Sequence, residues 1–91
     1  MILPQGDIAL LETDLAQELL VSPIPARFAY SWTDGSARVV PMYFSWTGQE
    51  LVFGTSPTAP KIRALTADAR VAVTIDTEEY PARVLMVRGA A

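Results

Sequence analysis

The stretch Thr55-Ser56-Pro57-Thr58-Ala59-Pro60-Lys61 sets three hydroxyls ahead of the only lysine in a chain of 91 residues. A helix of about two turns is predicted to follow, from about Ala59 to Ala67. The free N–H groups and the positive dipole end of such a helix attract anions. A cation in the first turn runs against that dipole, so Lys61 gains a reason if an anion sits beside it. Arg63 adds a second charge, on a different helix face. Thr55, Ser56, Lys61 and Arg63 thus suit a phosphate group. A plain capped surface helix accounts for the same residues, and local chemistry alone leaves both readings open.

A second feature is Pro41, in the middle of a strand predicted over Arg38–Trp46. Proline cannot donate to a ladder, so it belongs at an edge, at a bulge, or where the neighbour is not a strand. An edge strand is one explanation. The other is a flat ligand lying against the backbone of Arg38, Val39, Val40, Pro41, Met42 and Tyr43.

Much other chemistry is excluded. The chain contains no histidine and no cysteine, which removes serine or cysteine triads, thiolate metal sites and the commonest general base. The adjacent pair Glu78-Glu79 reads as a solvated loop. Any redox chemistry would have to be carried by a cofactor. A net charge of −3 and a pI near 4.7 do not suit duplex nucleic acid. No signal peptide and no apolar run long enough for a membrane span is recognised, so a cytoplasmic protein with no membrane partner is expected. A chain this short forms one domain, residues 1–91, with a thin stability margin that a partner subunit or ligand would widen.

The elements that must hold these residues follow from periodicity. After a loose start at Pro4 and Gly6, Asp7 or Thr13 can cap a helix with Leu10, Leu11, Leu15, Leu19 and Leu20 on its apolar stripe, broken near Thr13 and ended by Pro23. From Ala26 the period is two, with Phe28, Tyr30 and Trp32 on one face. Asp34-Gly35 signals a hairpin into Arg38–Trp46, whose Val40, Met42, Phe44 and Trp46 share a face. Thr47-Gly48 turns into Glu50–Thr55. After the short helix come Arg70–Asp76 and Arg83–Arg88. The predicted order is a helix, a three-stranded antiparallel meander, a short helix and a strand pair. Large residues on one face of five strands suggest a curling, barrel-like sheet, mostly β with flanking helices.

Four stretches in this order resemble the FMN-binding split barrel family, that of pyridoxamine 5′-phosphate oxidase and its relatives. They are LLVSPIPARFAY, DGSARVVPMYFSW, LVFGTSPTAPKIRAL and DARVAVTID, and the resemblance spans about Leu10 to Gly89. It implies an antiparallel split β-barrel that stops short of the family's usual C-terminal strand. It also implies a homodimer binding FMN, or the deazaflavin F420, in grooves between subunits, and acting on a small-molecule substrate. Residues Arg38 to Tyr43 would line the ring and ribityl chain, and Thr55, Ser56 and Lys61 would hold the phosphate with Arg63 near it. Arg27, Arg63, Arg70 and Arg83 could serve the acidic tail of F420. Two positions depart from the oxidase: Pro60 stands where an arginine often precedes the lysine, and Val84 where a glutamine meets the flavin. The expected function is an FMN-dependent oxidoreductase. The alternatives are an F420-dependent reductase or binding protein, and a non-catalytic dimeric split-barrel domain.

Overall fold

The computed structural model describes residues 6–91; Pro4 of the expected loose start lies outside them. A 3-10 segment, Ile8–Glu12, precedes helix α1 (Asp14–Leu20). Strands β1 (Ala26–Ser31), β2 (Ala37–Met42), β3 (Phe44–Trp46) and β4 (Leu51–Phe53) follow. Helix α2 (Pro60–Ala67) then leads to β5 (Arg70–Asp76) and β6 (Val84–Ala90).

Both candidate N-caps of the first helical region are used. The Asp7 carboxylate accepts from the Ala9 N–H at 2.9 Å, and the Thr13 hydroxyl accepts from the Ala16 N–H at 3.3 Å. Each satisfies a donor that the start of a helix would leave bare. Thr13 is therefore the break that divides the region into a 3-10 turn and an α-helix. Of the leucine stripe, Leu19 and Leu20 are fully buried, whereas Leu15 faces outward.

The strands form a four-stranded antiparallel sheet in the order β2-β1-β5-β6 and a two-stranded sheet, β3-β4. This corrects two expectations. Arg38–Trp46 is not one strand: it breaks at Tyr43, and its halves belong to different sheets. The three-stranded meander is likewise divided, with β1-β2 in the larger sheet and β3-β4 in the smaller. A bend here is what a strand needs to wrap a barrel, and Pro41 just upstream already interrupts its ladder. The third and last strands also shift, to Leu51–Phe53 and Val84–Ala90.

Alternation decides which face is core. Val40, Phe28, Val73 and Val87 form one cross-strand row through the four strands. Phe28 and Val73 are buried, and Val40 and Val87 pack against them. Phe28 meets Phe53 of the smaller sheet edge-on, with ring centroids 5.1 Å apart, so the two sheets close over a shared interior. Ala64 of α2 is wholly buried in the same core. The outer face carries Val39, Ala29, Ala72 and Arg88 in one row and Pro41, Arg27, Thr74 and Met86 in the next. Val39 and Met86 are largely exposed there. The fold is mostly β and antiparallel, with two flanking α-helices, in the manner of a small split barrel.

The hairpin between β1 and β2 follows its sequence signal. Gly35 has φ +86°, a backbone state that costs other residues strain. The Asp34 carboxylate accepts from the Ser36 N–H at 2.9 Å and its hydroxyl at 2.6 Å. Those bonds hold the Asp34 carboxyl below its usual range.

Candidate functional site

The predicted site residues fall into two groups, set by two elements. The first surrounds the start of α2. Its N-cap, Ala59, has no side chain to cap the helix, Pro60 supplies no N–H, and no acidic residue lies in the first turn. The usual internal partners for the positive dipole end are therefore missing, which leaves it open to an external anion.

Helical geometry then sorts the charges. Lys61 lies three residues before the fully buried Ala64 and four before the half-buried Leu65, so all three share the inward side. Arg63 is exposed on another side. Neither Lys61 nor Arg63 takes part in an ion pair among the described residues, whose two salt bridges are Arg70–Asp68 and Arg83–Glu18. In the preceding turn, the Ser56 and Thr58 hydroxyls bond each other at 3.0 Å, and the Thr58 N–H donates to Ser56 Oγ at 3.3 Å. Thr55, Ser56 and Thr58 are all exposed. Unpaired cations, exposed hydroxyls and an uncapped helix start are chemically suited to a phosphate group.

This group opens onto an inner cavity of about 440 Å³ between the two sheets. Thr55 and Lys61 border it together with Met42, the one residue of the Arg38–Tyr43 strand that does. Its body is apolar, formed by Phe28, Trp46, Leu51, Phe53, Val73 and Val87 among others. Sequence reasoning did not assign these aromatic side chains to a site. The signal was present in the alternation that puts Phe28, Trp46 and Phe53 on the inward face.

The second group belongs to β2 and lies elsewhere. Val39, Val40 and Pro41 border a shallow outer concavity with Ile24, Arg27, Asp76, Glu78, Glu79 and Arg83. Pro41 stands on a sheet edge, since β2 has β1 as its sole strand neighbour; the edge-strand explanation accounts for it without a ligand. Arg38 stacks over Trp32 of its own hairpin, 4.3 Å from the ring centroid. Tyr43 is 76% exposed at the break between β2 and β3. One chain therefore does not gather the two groups around a single concavity.

The basic residues offered for an acidic tail are also dispersed. Arg70 is fastened to Asp68 through Nε at 3.0 Å and its terminal nitrogen at 2.9 Å. Arg83 pairs with Glu18 of α1. Arg27 and Arg83 share the outer concavity with three acids, Asp76, Glu78 and Glu79, which leaves no basic surplus there. Among the described residues no group of His, Cys, Asp and Glu side chains could hold a metal ion. Among the described residues no helix is long and apolar enough to cross a membrane.

No known protein-family profile matches this sequence. No curated protein matches it either. Among solved structures, the chain is similar to a protein titled F420 reductase, with a TM-score of 0.74 and 27% sequence identity over 97% of this chain. The alignment takes in 63% of that protein's chain, so the present sequence spans less than two thirds of its length. The likeness accords with the flavin and deazaflavin relatives of the split barrel.

Proposed function

We propose that the chain is a split-barrel oxidoreductase of the flavin and deazaflavin group, with F420 as its first candidate cofactor. The observation that carries this reading is the likeness to an F420 reductase over nearly the whole chain. The donor set at the start of α2 supports it independently. Thr55, Ser56, Lys61 and Arg63 would hold the cofactor's phosphate, with Lys61 the inward-facing cation. A bound flavin or deazaflavin would supply the hydride chemistry, for which this chain has no side chain of its own. The protein's part is then to bind, orient and shield.

One observation favours FMN as the second reading. A cofactor with a long acidic tail needs a basic track, and here Arg70 and Arg83 are already paired with carboxylates. FMN ends at its phosphate and makes no such demand.

A homodimer belongs to the same proposal. Of the strand Arg38–Tyr43, Met42 shares the inner cavity with Thr55 and Lys61, while Val39, Val40 and Pro41 border the outer concavity, so a cofactor touching those three as well as Lys61 would call for a second copy. The exposed apolar side chains of the outer sheet face, Val39, Met86 and Val84, offer surface for it. The chain's substrate in this reading is a small molecule.

The test is competitive titration of the purified protein with F420 and FMN, with sedimentation analysis of each mixture. Saturable F420 binding by a dimer, with FMN competing more weakly, is expected. The reverse order of affinities would move the assignment to FMN. Binding of neither would leave a non-catalytic split-barrel domain, and binding by a monomer would remove the shared-groove arrangement.

A further inference from the structure

The inner cavity has features that a phosphate anchor does not account for. Its volume of about 440 Å³ lies within the range of ligand pockets. At about 30 Å³ per water-sized group, it has room for about fifteen heavy atoms. Its walls come from both sheets and include three aromatic rings, Phe28, Trp46 and Phe53. Two charged side chains border it, Glu50 and Lys61, and their signs oppose. Among the described residues no buried side-chain nitrogen or oxygen lacks a hydrogen-bond partner, so nothing inside calls for a polar guest. Concave sites with a mostly apolar lining and a few polar groups at hand are the usual form of small-molecule pockets.

We infer that the space between the sheets is a binding cavity for an uncharged, largely apolar small molecule of about fifteen heavy atoms. The site does not depend on the proposed cofactor, although Thr55 and Lys61 stand at its border as well as in the phosphate set. Gly89 offers the means to close it. This residue lies on the inward face of β6 with Val87 and borders the cavity. A Cβ placed there would meet no atom within 4 Å. Gly89 is exposed, so a side chain added there has room at the open border of the cavity and would narrow its entrance.

The test uses N-phenyl-1-naphthylamine, an uncharged fluorophore of suitable size, titrated into the cofactor-free protein. Saturable binding at one site per chain is expected. Gly89→Leu should weaken it by about tenfold or more, and Met86→Phe, on the outward face of the same strand, should leave it unchanged. Amide shift mapping of the wild-type protein with the probe gives a reading that does not depend on variant folding. Shifts should centre on Phe28, Phe53 and Val73 rather than on Ala72 and Met86. Unsaturable binding, equal loss in both variants, or shifts confined to the outer face would overturn the inference. Titration of F420 and FMN in parallel keeps the two proposals apart: a probe site without cofactor uptake leaves this inference standing and defeats the other.

Discussion

The two concavities lie on opposite sides of one sheet and are built on different principles. The inner one is walled by residues from all six strands and from α2, mostly apolar, with Gln49, Glu50, Thr55 and Lys61 as its polar side chains. The outer one is lined by β2 and by the segments flanking β5 and β6, with acids and bases mixed. Period-two alternation produces both: it turns Phe28 inward and Arg27 outward on the same strand. The inner space therefore suits an apolar guest with an anion at its rim. In the outer one, charges neutralise each other and offer an anion little. For the phosphate-bearing cofactor proposed above, the start of α2 would be the anchor and β2 would contribute backbone and bulk.

The largest effect that would test this contrast lies in the inner wall. Phe28 is 4% exposed and touches both Tyr30 and Phe53. Phe28→Ala should cost about 3–5 kcal/mol of stability, read as a lower denaturation midpoint in urea. A loss of less than about 1 kcal/mol would mean that the wall relaxes freely and that the cavity is not a fixed space. Next in size is the rim. Lys61→Ala should weaken cofactor binding by about 1–3 kcal/mol, as expected for a lost charge-assisted phosphate contact. Arg83→Ala, in the outer concavity, should leave that affinity unchanged and cost at most about 1 kcal/mol of stability, since its pair with Glu18 is solvent-exposed. Equal loss of affinity in the two variants would erase the distinction between the concavities.

How much of this was legible beforehand depended on whether the signal was local. Asp7, Thr13 and Asp34-Gly35 act on the next two or three residues, and each does in the structure what its type suggests. The inward alternation of Phe28 and Tyr30 was legible for the same reason. The break at Tyr43 was not, because Arg38–Trp46 keeps one unbroken period of two across it. Only the barrel's closure, a demand of the whole sheet, decides where such a strand must bend. Sheet order was hidden likewise: β5 pairs with β1, a partner about forty residues away in sequence that no local pattern names. Large residues on one face of the strands already suggested an overall curl, and the likeness to split barrels added a grouping of Arg38–Tyr43 with Lys61. Within one chain only Met42 of that strand borders the inner cavity with Lys61, while Val39, Val40 and Pro41 border the outer concavity.

The smallest effect concerns an arginine that stands outside the proposed phosphate site. Arg70 begins β5 just after α2, close in sequence to Lys61 and Arg63, yet it is held by Asp68 at the helix C-cap. Asp68 Oδ1 accepts from both the Arg70 backbone N–H and Nε, while Oδ2 accepts from the terminal nitrogen. The side-chain bonds from Arg70, followed by its backbone N–H, lower the Asp68 carboxyl from 3.8 to about 2. The same pairing raises the Arg70 guanidinium. Because the folded value lies below the unfolded one, the pair favours the fold fully above the unfolded carboxyl's range. That contribution fades as pH falls from about 4 towards about 2. Carboxyl carbon NMR should show Asp68 titrating near pH 2, well below an ordinary surface aspartate, and Arg70→Ala should return it towards 3.8. A normal midpoint in the wild-type protein would mean that the fork is open in solution. Arg70 would then be free to join Lys61 and Arg63, and the basic track missing for an acidic cofactor tail would gain a member.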